Sequence, residues 1–159
     1  MHKIQKGFVI SLIMFSPSAL ATADTIDFIL DSIDYSALST KVHAYLKPKI
    51  AKEEICKDLP HLDKTNKVDL NDFVIGRKDS TLTISANIKI TCKTSDSAVI
   101  KSSASEDIAI NAGFDISKCT LVDFKATPRG DVGKVIARST GFSKKLKKQI
   151  EQKLKSICP

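Results

Sequence analysis

Four cysteines, the histidines His43 and His61 and an uneven spread of lysines are the residues of this sequence with chemistry to offer. The cysteines stand at Cys56, Cys92, Cys119 and Cys158, with no Cys-x-x-Cys pair among them. A zinc or redox site needs clustered Cys and His ligands, and this spacing supplies none. Two disulfides in an oxidising compartment are the expected use. Four cysteines permit three pairings, and the spacing does not choose between them. His43 falls beside the apolar stripe of a helix and His61 falls in a loop, neither with an evident partner. No Gly-x-Ser-x-Gly or His-Glu-x-x-His string occurs, and Gly133-Lys134 is followed by Val135 rather than the hydroxyl residue of a phosphate loop. The carboxylates are numerous but scattered. No catalytic group, metal or cofactor is therefore expected, and the chain reads as a binding protein rather than an enzyme. Arg129-Gly130-Asp131 reads as a turn leading into a helix cap, not as a recognition tripeptide.

The lysines are more informative. The chain has 159 residues, 42% apolar and 27% charged, with a formal net charge of +7. That is one globular domain with a basic excess. Residues 134–159 alone sum to +7, because they hold eight basic residues against Glu151. Lys144, Lys145, Lys147, Lys148 and Lys155 lie off the apolar stripe of the helix expected there. They suit anionic head groups, on a membrane surface or on lipopolysaccharide. They equally suit a solvated face that confers solubility. Basic residues near a helix end also answer its dipole without any ligand.

The first residues bear on the compartment. Lys3 and Lys6 precede the apolar run FVISLIMF at 8–15, Ser16-Pro17 breaks it, and Ala21-Thr22-Ala23 follows. This order of charged, apolar and small-x-small segments predicts a signal peptide over 1–23 and a single domain over 24–159. The apolar run is too short to span a bilayer. The expected product is secreted, extracellular or periplasmic, and carries +5. An exported protein of that charge is a poor candidate for nucleic acid.

The periodicities supply the scaffold. Residues 24–31 read as a short strand. Asp34 is placed to cap a helix whose stripe is Tyr35, Leu38, Val42, Tyr45 and Leu46, with Pro48 expected to kink or restart it. Residues 48–57 have helix-forming composition, and 59–67 read as a loop. Leu82, Ile84, Ala86, Ile88, Ile90 and Cys92 alternate with polar residues, which defines a strand with one buried and one wet face. The same phase continues at Ala98, Ile100, Ser102 and Ala104, and again from Ile108 through Ile110, Ala112 and Phe114 to Ile116. The serine-rich 102–105 is expected to bend or bulge. Further strands are expected at 68–75 and 118–126, ending in a loop at 127–130. Asp131 is placed to cap a last helix. Its stripe would be Val132, Val135, Ile136 and Ser139, then Leu146, Ile150, Leu154 and Ile157, with a weak point at Gly141. The sum is an α+β domain: a highly twisted antiparallel sheet of about four to five strands, wrapped around an N-terminal and a C-terminal helix.

The string Ile33-Asp34-Tyr35-Ser36-Ala37, the strand Thr83-Ile84-Ser85-Ala86-Asn87-Ile88-Lys89-Ile90 and the element order resemble the tubular lipid-binding superfamily. The likeness is to the N-terminal barrel of bactericidal/permeability-increasing protein and lipopolysaccharide-binding protein, and it covers most of the chain from about residue 25 to 158. The resemblance implies that Cys119 and Cys158 form the family's bridge. Cys56 and Cys92 are additional to that family's pattern and are inferred to pair with each other. It also implies a secreted lipid-binding module, non-enzymatic, holding apolar chains between sheet and helices. The cavity candidates are then Leu82, Ile84, Ile88, Ile90, Ile108, Ile110 and Phe114 on the strands, facing Val42, Leu46, Leu146 and Ile150 on the helices. If those side chains instead close-pack, the alternative is a secreted protein-binding inhibitor or immunity-type protein with a solid core. The partners expected are thus lipid or lipopolysaccharide, an anionic membrane surface, or a protein.

Overall fold

The computed structural model describes residues 23–138 and 140–158. The expected signal peptide, apart from Ala23, lies outside the described residues, as does Ser139. Four strands form one antiparallel sheet in the order β1-β2-β3-β4: β1 Lys64–Lys78, β2 Thr81–Lys93, β3 Ser103–Asp115 and β4 Thr120–Pro128. Helices α1 (Ala23–Ser32) and α2 (Tyr35–Ile50) precede the sheet. Helices α3 (Asp131–Arg138) and α4 (Thr140–Leu154), with a short 3-10 turn at Lys155–Ile157, follow it. The α+β architecture with a twisted antiparallel sheet is the one expected.

The first departure is α1. Residues 24–31 form a helix, not a strand. Ile26, Ile29, Leu30 and Ile33 recur at helical spacing and turn toward the core, while Phe28 on the other side is 75% exposed. Arg77 of β1 holds this helix through Asp27, at 2.9 Å, and Asp31.

The cap expected for α2 is present, with the Asp34 carboxylate accepting from the Ala37 amide at 2.9 Å. Pro48 does not restart this helix. It sits in the last turn, and the helix continues to Ile50, which is buried. Residues 51–57 are then not helical. The chain leaves α2 through tightening turns, Lys52 N–H to Lys49 O and Glu53 N–H to Ile50 O, and Cys56 is drawn to the sheet.

β2 spans the residues its alternation predicts, and β1 begins at Lys64, inside the segment read as a loop. β3 pairs with β2 in unbroken register from Ser103 to Asp115, so the serine-rich stretch does not bulge. The irregularities lie on the outer strands instead. β1 shifts register between Thr65 and Lys67 and between Asn71 and Val74, and the β3–β4 register shifts between Asn111 and Gly113. Asp72 and Asp123 hold positive φ there, at 47° and 52°. Bulges on edge strands increase twist and discourage pairing with other chains. The even phase is also interrupted: residues 94–102 form a loop in which Val99 is 100% and Ile100 79% exposed.

β4 runs on to Pro128, and α3 begins at once. Asp131 is its first helical residue rather than its cap; the Gly130 carbonyl accepts the first bond, from Lys134 N–H at 3.0 Å. The Asp131 carboxylate pairs with Lys134 Nζ. A Cβ at Gly130 would meet the carboxylate end of the Glu106 side chain, which would have to swing aside. Ile136 is buried, whereas Val135, expected on the same stripe, is 46% exposed.

Both expected disulfides form, Cys56–Cys92 and Cys119–Cys158. One apolar core lies between the sheet and the helices, drawing on all four helices and all four strands.

Candidate functional site

The eleven positions proposed to contact apolar chains lie together in one apolar core. Val42, Leu46, Leu82, Ile84, Ile88, Ile90, Ile108, Ile110, Phe114, Leu146 and Ile150 all belong to the single core, none more than 3% exposed. Strand alternation aims the β2 and β3 members at one face. Val42 and Leu46, four apart on α2, and Leu146 and Ile150, four apart on α4, face them.

Helices α2 and α4 close this core from outside, and each also covers an edge of the sheet. On β1, the Ile75 amide donates to Ser39 Oγ at 2.8 Å. His43 Nε2–H donates to the Leu70 carbonyl at 3.0 Å, and its ring stacks on Phe73. On β4, Glu151 Oε1 accepts from the Leu121 amide at 3.0 Å and from the Thr120 hydroxyl at 3.2 Å. Edge-strand groups with no strand partner are thereby satisfied. His43 is thus a structural donor, a role its sequence neighbourhood does not reveal. His61 is exposed, with φ of 68°, beside Leu59 and the 94–102 loop.

That loop and the segment after α2 make an irregular end of the molecule. Cys56–Cys92 ties them at their base, and Cys56 N–H donates to Thr65 Oγ1 at 3.0 Å. Thr94 and Ser102 bond across the loop mouth. Asp96 pairs with Lys64 and, at 3.6 Å, with Lys93. The two lysines, Lys64 by hydrogen bond first, hold the Asp96 carboxyl below its ordinary value of 3.8. A groove of about 680 Å³ runs between the two segments, lined by Leu59, His61, Ala98, Val99 and Ile100 among others.

The lysines sort differently from the sequence expectation. Lys144, Lys148 and Lys155 are exposed and Lys147 is partly so. Lys145 reaches across to Glu53, in an ion pair of 2.6 Å. The sequence missed a tighter grouping. Lys49 Nζ on α2 and Lys153 Nζ on α4 both lie over the Tyr45 ring, 4.0 and 5.2 Å from its centre. Lys49 also donates to the Tyr45 hydroxyl at 2.6 Å. Lys49 follows Tyr45 by one helical turn, a signal visible in the sequence, but Lys153 arrives only through the packing of α4 against α2. Among the described residues, neither lysine is in an ion pair. One turn back on α4, Gln149 Oε1 is buried with no hydrogen-bond partner.

The chain is therefore an α+β protein with a four-stranded antiparallel meander, closed by helices on one side and stapled by two disulfides. The disulfides indicate an oxidising, non-cytoplasmic setting. Among the described residues, no helix is long and apolar enough to cross a membrane. The Y4fE family profile matches residues 35–158, and the chain belongs to that family. The uncharacterized protein y4fE of Sinorhizobium fredii (strain NBRC 101917 / NGR234) is 22% identical over 125 residues, 78% of each chain. No solved structure matches the chain.

Proposed function

We propose that this protein is an exported, non-enzymatic binding module that engages a protein partner across its surface, in the manner of a secreted inhibitor or immunity-type protein. One observation supports this reading over an internal lipid carrier. Val42, Leu46, Leu82, Ile88, Ile108 and Phe114 have no accessible surface, so no space as large as a water molecule adjoins them. An acyl chain needs a continuous apolar tunnel, whereas this interior is filled by its own side chains. Native mass spectrometry after gentle extraction, with a fluorescent fatty-acid uptake assay, tests the point. A protein of bare mass and no saturable uptake are expected. A co-purifying lipid or saturable uptake would overturn the reading.

A second reading keeps lipid as the partner but moves it outside. The exposed Lys144, Lys148 and Lys155 favour contact with anionic lipid or lipopolysaccharide head groups, at about 1 kcal/mol per basic residue near such a surface.

A further inference from the structure

The helical layer is polarised in charge. α2 contains no Asp or Glu over its sixteen residues. The one carboxylate of α4, Glu151, is spent on the β4 edge. Of the lysines on these two helices, only Lys145 forms an ion pair among the described residues.

The contacts also give the register of the pair. Tyr45 meets Lys153, and Glu53 meets Lys145. Eight residues forward along one segment match eight residues back along the other, so the two run antiparallel. Lys49 and Lys153 thereby both approach one aromatic ring. Two ammonium groups facing one ring gain from its quadrupole but repel each other. A carboxylate docked beside the ring would offset this unpaired positive charge through charge-assisted hydrogen bonds.

We infer that the α2–α4 face docks an acidic protein segment, with Tyr45, Lys49 and Lys153 as its anchor. The inference rests on the protein-binding reading above and names the surface and the partner's chemistry. An extended acidic chain fits better than a lone small anion because exposed lysines continue along the Tyr45–Lys49 flank of α2, at Lys41 and, just past the helix end, at Lys52. Sixteen residues of α2 extend about 24 Å, a length that several successive carboxylates on an extended chain can follow. Electrostatic complementarity of this kind sets orientation and on-rate and weakens with salt.

The test uses the full disulfide-bonded chain and a fluorescent poly-glutamate 20-mer at low ionic strength. Binding is expected, and it should fall at least tenfold in Lys49→Glu/Lys153→Glu. It should be unchanged in Lys134→Glu, whose lysine lies on α3 and pairs with Asp131. Circular dichroism of each variant checks that the fold is kept, and Lys49→Gln/Lys153→Gln, which only removes charge, should give an intermediate loss. Absence of poly-glutamate binding, or equal binding by the double Glu variant, overturns the proposal. So does a wild-type protein that ignores poly-glutamate but binds phosphatidylglycerol vesicles through the same two lysines, because the occupant is then a membrane. Fatty-acid uptake would sink the solid-core reading without touching this outcome, so the two failures are distinguishable.

Discussion

The two ends of the sheet are each closed by a disulfide, but on different terms. At one end Cys56–Cys92 joins the irregular segment after α2 to β2, and both cysteines are fully buried. At the other, Cys119–Cys158 joins the β3–β4 turn to the residues after α4, and both are only partly buried. The sequence separations are 36 and 39, so the constraint on the unfolded chain is nearly equal, about 4 kcal/mol each. Any difference must come from the folded side. The buried bridge is part of the core and organises a segment with no regular structure of its own. The outer bridge reinforces a helix that Phe142, Leu146, Ile150 and Leu154 already anchor.

This contrast yields the largest expected effect. Cys56→Ala/Cys92→Ala should lose about 4 kcal/mol from the chain term and about 1 kcal/mol more from the vacated core volume. Cys119→Ala/Cys158→Ala should lose the chain term alone. Urea unfolding of both oxidised variants measures it, and equal midpoint shifts would erase the distinction. A mild thiol followed by alkylation and mass analysis should also label Cys119 and Cys158 first, because a thiolate must reach the sulfur it attacks.

How far these features were legible in the sequence depends on the range of the interactions. β2 could be bounded to the residue because its alternation is a local pattern with one wet face. The Asp34 cap is likewise local. α1 was misread because its acidic residues interrupt the apolar ones. The helical spacing of Ile26, Ile29, Leu30 and Ile33 gains meaning only once Arg77 binds Asp27 and Asp31 from the far end of β1. Ile100 keeps the even phase of the core strands, and only the position of the β2–β3 loop exposes it, together with Val99. The core positions were readable from periodicity, but periodicity cannot tell a packed interior from a tunnel. The Tyr45–Lys49–Lys153 grouping was half visible, since one lysine is a helical turn away and the other more than a hundred residues on.

The clamp on α1 gives a smaller effect at the Cys119–Cys158 end. Arg77 is 26% exposed and its two carboxylates considerably more so, so solvent screens much of their attraction. Arg77→Ala should cost about 0.5–1 kcal/mol globally while amides of 23–32 lose most of their exchange protection. Hydrogen exchange read by mass spectrometry separates the two. Protection retained in α1 would mean that Leu30 and its apolar neighbours hold the helix unaided. No equivalent clamp is expected at the Cys56–Cys92 end, where the buried bridge itself fixes the irregular segment.

The smallest effect sets one aspartate at each end against the other. Asp115 Oδ1 accepts from the Ser117 hydroxyl at 2.6 Å, and also from the Ser117 and Lys118 amides. The Ser117 bond, then Lys118, holds its carboxyl below 3.8. At the other end Asp96 is lowered by Lys64, through a hydrogen bond and its charge, and then by Lys93. For both, a folded value below the unfolded one means stability that is present above about pH 4 and lost as pH falls through the folded value. The causes differ, and salt distinguishes them. Asp96 is lowered by ammonium charges at an open surface, which counter-ions replace, whereas Asp115 is lowered first by a neutral hydroxyl held in its own turn. Carboxyl NMR titration should find both midpoints below 3.8 at low salt. Raising the ionic strength to about 0.5 M, where the Debye length falls to a few ångströms, should move Asp96 toward its ordinary value and leave Asp115 nearly in place. Equal upward movement of the two would mean that Lys118, not the Ser117 hydroxyl, governs Asp115, and that both turns are held chiefly by charge.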